Sequence, residues 1–190
     1  WVPVEPPPID SSVLHNTVSP IRIVWPHRWE HDKGPDELLS VARQHTNTLN
    51  LRWIILGESF RKVPEAFHVF ETEFADHIDH MGFVESKVEY WQWLQKADWV
   101  LSTARHEFFG IAVVEAMLAG CLPWLPDRLS YPELLPESCR GLTPASPPNN
   151  PDEIRSNIEQ HLQPATPSIA VRTIDDICTS LFSVGAKSGV

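Results

Sequence analysis

The sequence has no long apolar run: nothing in it approaches the roughly 18 residues that a membrane-spanning helix needs. Its opening, WVPVEPPPIDSS, has neither the basic region nor the apolar core of a secretory signal. That opening starts on Trp1, is rich in proline, and reads as a linker met partway along a longer chain (residues 1–19). Positive charge is scarce. Fifteen Lys and Arg stand against 25 Asp and Glu, for a net charge of -10 and a pI near 5.3. This balance argues against a broad nucleic-acid-binding face on this part of the protein. Cysteine is scarce too. Cys121, Cys139 and Cys178 form neither a CxxC pair nor a disulfide framework, so a reducing cytoplasm is the simplest compartment. There is no Walker motif, no GxSxG elbow, no HExxH pair and no internal repeat. Gly34 and Gly57 stand alone and signal no dinucleotide site.

What is present suits a globular α/β domain. Hydrophobic residues make up 42% of the 190, enough to build a core. Short β-rich runs alternate with helical patterns. IRIVW (Ile21–Trp25) predicts a first strand. A helix follows over Pro35–Gln44, with proline in its first turn and Leu38, Leu39 and Ala42 on one face. LRWIIL (Leu51–Leu56) predicts a second strand, ended by Gly57. Further elements are a helix over Glu65–Ala75, a weaker strand at Ile78–Phe83, a helix at Val88–Ala97 and a strand WVLS at Trp99–Ser102. A very apolar helix starts near Phe109, and a fifth strand covers Cys121–Leu125. This alternation predicts a Rossmann-like parallel sheet flanked by helices, over residues 20–143. Beyond it, PASPPNNP opens a tail (144–190) with helices at Asp152–Leu162 and Val171–Val184. The eight tryptophans are scattered, which suits core packing for most of them.

Ligands of an open parallel sheet sit beyond the carboxyl ends of its strands. Two loops at such ends carry polar chemistry. PHRWEHDKG, after strand one, brings Arg28 and Lys33 together. HEFFG, after strand four, presents a helix start, where free N–H groups and the helix dipole favour an anion. Together they make a diphosphate cradle; the alternative for Arg28 and Lys33 is an ordinary solvated loop. Glu115 interrupts the apolar helix about 9 Å from a start at Phe109. There its two oxygens suit a vicinal diol, such as the ribose of a nucleotide whose phosphate sits at the helix end. A buried carboxylate needs a partner, and pairing with a core arginine is the competing reading. Glu107, just before the helix, could accept from hydroxyls of whatever the diphosphate carries. His27 and His31 have HxxxH spacing beside Asp32; in a loop this is a weak metal signal, and no metal is expected. A glycosidase-like pair of carboxylates is also open, since spacing along the chain does not set their separation.

Glu107 and Glu115 together resemble the E-x7-E motif of the group 1 glycosyltransferases of the two-domain GT-B fold. Arg28 and Lys33 stand where that family has its phosphate-binding pair. HRWEHDKGPDELL, LGESFRKVPEAF, STARHEFFGIAVVEAMLAGC and YPELLPE, in that order, are similar to the tRNA-queuosine α-mannosyltransferase family over about Ile21–Glu137. The resemblance implies the C-terminal, donor-binding half of a retaining enzyme, inactive without its N-terminal half. It implies GDP-mannose as donor, no metal cofactor, and a transfer-RNA acceptor contacted mainly by the other half. By resemblance Arg28 and Lys33 hold the diphosphate and Glu115 the ribose. Glu107 and the backbone of Phe108, Phe109 and Gly110 hold the sugar and distal phosphate, with Glu107, Arg28 and Lys33 acting in catalysis. Phe83 and Val84 are expected either to wall the base or to pack in the core. Two other expectations stay open: a lipid, glycan or small-molecule acceptor, and a nucleotide-binding module without turnover.

Overall fold

The computed structural model describes residues 20–58 and 63–162. Five parallel strands form one sheet: β1 (Ile21–Pro26), β2 (Leu51–Leu56), β3 (Ile78–Gly82), β4 (Trp99–Leu101) and β5 (Leu122–Trp124), in the order β3-β2-β1-β4-β5. Helices α1 (Pro35–His45), α2 (Glu65–Glu73), α3 (Lys87–Lys96), α4 (Ile111–Leu118), α5 (Tyr131–Leu134) and α6 (Pro151–Leu162) complete it. The chain winds outward from β1 through β2 to β3, then returns to place β4 on the other side of β1. The order therefore reverses between β1 and β4, and a crevice opens at their carboxyl ends.

Alternation along the central strands explains why both faces are covered. Ile23 and Trp25 of β1, with Trp53 and Ile55 of β2, join α1 and α2 in one buried cluster. Val24, Ile54 and Leu56 point the other way, into a cluster with α3, α4 and α6. Strands buried on both faces read as continuous apolar runs, as IRIVW and LRWIIL do. Two buried indoles have hydrogen-bond partners: Trp25 Nε1 donates to Thr103 Oγ1 and Trp53 Nε1 to Thr46 Oγ1, each at 2.9 Å. Cys121 and Cys139 are buried free thiols. Ile158 and Leu162 of α6 belong to the same core as α4.

Several boundaries differ from the sequence reading. Helix α4 starts at Ile111 rather than Phe109, because Gly110 adopts a left-handed conformation (φ 65°) and caps it. Phe108 and Phe109 are thus loop, and Glu115 lies only about 6 Å along the axis. The third strand ends at Gly82, leaving Phe83 outside it and 60% exposed, while Val84 packs against the core. Helix α2 stops at Glu73, and Ala75–His77 tightens into a 3-10 turn. The Pro-rich lead-in of residues 1–19, the third cysteine and the helix expected at 171–184 lie outside the described residues.

Candidate active site

At the switch point lies an open cleft of about 310 Å3. Pro26, His27, Arg28, Asp32 and Lys33 line one side; His106–Phe109, Ile111 and Ala112 line the other. A short relay joins the two loops. Trp25 donates to Thr103 Oγ1, and that hydroxyl donates to Lys33 O at 2.9 Å. The amides of Arg105 and His106 both donate to Asp32 O, at 2.8 and 3.3 Å. Gly34 closes the first loop with φ 69°, and a Cβ there would stand 2.3 Å from Thr103 O. Only glycine lets the loops approach this closely.

Within the cleft the two predicted cations have different environments. Arg28 is exposed, its guanidinium 3.5 Å from Glu30. Lys33 is only 8% exposed: Nζ donates to His106 O at 2.8 Å and to Glu107 Oε2 at 3.2 Å, with Asp32 Oδ2 at 3.6 Å. The solvated-loop reading therefore does not apply to Lys33. Nor is Glu107 an unoccupied acceptor. Its Oε1 receives the amides of Phe108 and Gly110, each at 3.1 Å, and its Oε2 receives Lys33. Burial works to raise this carboxyl, but the Gly110 amide and Lys33 outweigh burial and hold it below the usual carboxylate range. Glu107 is ionised at neutral pH and also shapes the turn that starts α4.

The loop amides divide accordingly. Those of Phe108 and Gly110 are engaged by Glu107, and Val114 N is bonded to Gly110 O at 2.9 Å. The intervening amides at the start of α4 have no intrahelical acceptor and face the cleft end of the helix, where they favour an anion. The side chains of Phe108 and Phe109 are 86% and 66% exposed.

Glu115 shares a helix face with Ile111 and Ala112, one turn deeper. Its partner is not an arginine: Tyr90 Oη of α3 donates to Glu115 Oε2 at 2.9 Å. Burial first, and Glu115 second, push the Tyr90 phenol up, so it stays a donor. Phe83 and Val84 follow β3 at the neighbouring carboxyl end, the first exposed and the second packed on the core.

Three residues near the cleft escaped the sequence reading. Tyr90 left no local signal, since it is one apolar-face aromatic among several. Tyr131 packs where a Cβ on Gly110 would fall (3.3 Å) and shares a 2.6 Å hydrogen bond with Ser102 Oγ; burial pushes its phenol up to about 12. His27, weighed only as a metal ligand, is 5% exposed, and Nε2 is enclosed without a partner. Among the described residues no group of three His, Cys, Asp or Glu is arranged to hold a metal ion.

Comparisons with known proteins fit this architecture. The tRNA-queuosine alpha-mannosyltransferase of Drosophila melanogaster is 41% identical over 118 residues, 62% of this chain and 31% of that protein. The GDP-mannose:cellobiosyl-diphosphopolyprenol alpha-mannosyltransferase of Xanthomonas campestris is 31% identical over 119 residues, 60% of this chain and 31% of that protein. The chain thus spans about a third of the length of these relatives. In three dimensions it resembles the C-terminal domain of a glycosyl transferase group 1 family protein from Francisella tularensis. The TM-score is 0.55 at 19% identity, covering 75% of each chain. It also resembles Anabaena HepE in complex with UDP, with a TM-score of 0.54 at 19% identity, over 77% of this chain and 40% of that one. The fold is that of the GT-B glycosyltransferases. A family model described as "Glycosyl transferases group 1" matches residues 12–165, and with the switch-point cleft it places this chain in the group 1 glycosyltransferase family.

Proposed function

We propose that the chain is the donor-binding half of a retaining enzyme that transfers mannose from GDP-mannose to queuosine in transfer RNA. One observation carries the donor reading. An exposed arginine, Arg28, and the N-terminus of α4 line the same switch-point cleft, and the carboxylate of Glu115, outside the lining itself, stands one turn further along that helix. This order suits a nucleoside diphosphate: phosphates between Arg28 and α4, ribose hydroxyls on Glu115, and the sugar over the HEFFG loop. Mannose is favoured because the Drosophila and Xanthomonas campestris relatives are mannosyltransferases by name, the second a GDP-mannose enzyme. The queuosine acceptor is favoured by the Drosophila relative, 41% identical over 118 residues against 31% over 119 for the Xanthomonas campestris one.

Bond breaking moves negative charge onto the leaving diphosphate. Arg28 and the amides of α4 are preorganised to meet that charge. Lys33, held by Glu107 and the His106 carbonyl, contributes its field from the cleft wall. Glu107 is engaged by three donors, which suits a sugar-positioning role better than that of a covalent nucleophile. Same-face attack then leaves deprotonation of the acceptor to the departing phosphate. No metal enters this scheme. Transfer RNA contacts fall mainly on the remainder of the enzyme, and the setting is the cytoplasm. Among the described residues no helix is long and apolar enough to cross a membrane.

Titration of the chain with GDP, UDP and ADP tests the donor, and transfer to queuosine-containing transfer RNA by the full-length enzyme tests the acceptor. GDP should bind in preference to UDP and ADP, and the chain alone should not turn over. Absence of nucleotide binding would refute the donor reading. Transfer to a lipid-linked glycan in place of transfer RNA would favour the chemistry named for the Xanthomonas relative.

A further inference from the structure

His27 occupies the first position after β1, at the strand end that opens onto the cleft. Its environment holds it firmly. The ring stands edge-on to Trp25, with centroids 5.0 Å apart and planes at 73°. Its carbonyl lies where a Cβ on Gly57 would fall, at 2.0 Å, so the loop after β2 presses directly on the His27 backbone. Nε2 is fully enclosed and has no hydrogen-bond partner among the described residues. Buried polar side-chain atoms are ordinarily bonded, and one left without a partner costs stability that an apolar side chain of the same shape would not. A position needed only for packing against Trp25 would suit phenylalanine better.

The charged groups around the ring are Lys33, Glu107 and Asp32. Two of them are committed elsewhere: Lys33 to His106 O and Glu107, and Glu107 to Lys33 and two amides. Asp32 Oδ2 stands 3.6 Å from Lys33, and its Oδ1 is enclosed and likewise without a partner. His27 also lines the cleft shared with Arg28 and the start of α4. A half-turn of the imidazole about its χ2 bond exchanges nitrogens for carbons, so the ring can present a nitrogen to that cleft.

We propose that His27 is a further donor-site residue, whose imidazole donates an N–H hydrogen bond to a phosphate oxygen of the nucleotide held between Arg28 and α4. The inference rests on the donor reading of the cleft. Its chemical logic is that of an uncharged donor. A second buried cation beside Lys33 would be repelled in the empty site, whereas a neutral imidazole adds a hydrogen bond without that penalty. In this role His27 binds and orients the donor and moves no proton.

Calorimetric titration of the chain with GDP tests it, using wild type and His27→Phe. Phenylalanine keeps the contact with Trp25 and removes the N–H. Binding should weaken at least about tenfold, the loss expected for one hydrogen bond to a charged acceptor. Nuclear magnetic resonance on the wild-type chain gives an independent reading: the His27 ring nitrogens should shift on saturation with GDP. A merely structural His27 would alter the melting temperature of the variant and leave both readouts unmoved. GDP binding with an unchanged affinity in His27→Phe, or with silent ring resonances, overturns the role of His27 alone. Should His27→Phe fail to fold, the ring resonances decide. A wild-type chain that binds no nucleotide overturns the donor reading and this inference together.

Discussion

Enclosure of His27 makes the domain sensitive to mild acid, and the size of the effect follows from its surroundings. Burial, and next Lys33, hold the imidazole down to about 4, while Glu107 and Asp32 pull weakly the other way. In the unfolded chain the ring titrates near its ordinary value of about 6.5. Between these values the unfolded state carries a proton that the folded state excludes, so stability falls as pH falls. The contribution is complete above about pH 6.5 and is lost progressively towards pH 4. At pH 5 the loss is about 2 kcal/mol, from roughly 1.4 kcal/mol per pH unit over the interval already crossed. Urea denaturation of wild type and His27→Phe at pH 7.5 and pH 5 isolates the term, because Phe cannot titrate. The wild type should lose about 2 kcal/mol more than the variant over that range. Glu107 stays ionised in the folded domain over this range, and the onset of its unfolded-state titration is common to both proteins, so the difference between them isolates His27. Equal losses in the two proteins, or a His27 ring that titrates near 6.5 in the folded domain, would refute the argument.

Other consequences are equally direct. Arg28→Ala in the full-length enzyme should raise the barrier by about 2–4 kcal/mol, the scale of one lost oxyanion-type donor; unchanged turnover would remove Arg28 from the chemistry. Glu115→Ala should weaken GDP binding at least about tenfold in a calorimetric titration. Its cost to stability should stay near 1 kcal/mol, because one hydrogen bond to Tyr90 is lost; a domain that unfolds instead would make Glu115 a core residue. Gly34→Ala should cost more than the roughly 1–2 kcal/mol of left-handed strain, since its Cβ would stand 2.3 Å from the Thr103 backbone oxygen. Denaturation of that variant at wild-type stability would contradict the contact.

The fold was legible because its signals are local. IRIVW and LRWIIL announce strands through their own side chains, and they occupy Ile21–Pro26 and Leu51–Leu56. Pro35 in the first turn, with Leu38, Leu39 and Ala42 on one face, announces a helix in the same way. The start of α4 was misplaced by two residues, because FFG looks apolar and helical until Gly110 is seen in a left-handed cap. Phe83 read equally well as a wall of the base site or as core packing, since exposure depends on where β3 ends and not on the residue type.

The site was legible in outline and not in its wiring. That Arg28, Lys33, Glu107 and Glu115 belong to one sheet edge followed from their places after parallel strands and from the family resemblance. Who holds whom did not. Lys33 is tied to a carbonyl 73 positions away and Glu115 to a phenol 25 positions away, and no periodicity records such pairs. The sequence by itself therefore determined the parallel α/β architecture, the two polar loops and the family, all carried by short contiguous patterns. Only the tertiary structure decided that Arg28 is the exposed cation and Lys33 the enclosed one. It also set Glu107 to cap its own loop and enclosed His27 without a partner. The reason is physical: burial and hydrogen-bond saturation are properties of what surrounds a group, and here the surroundings come from strands that only folding brings side by side.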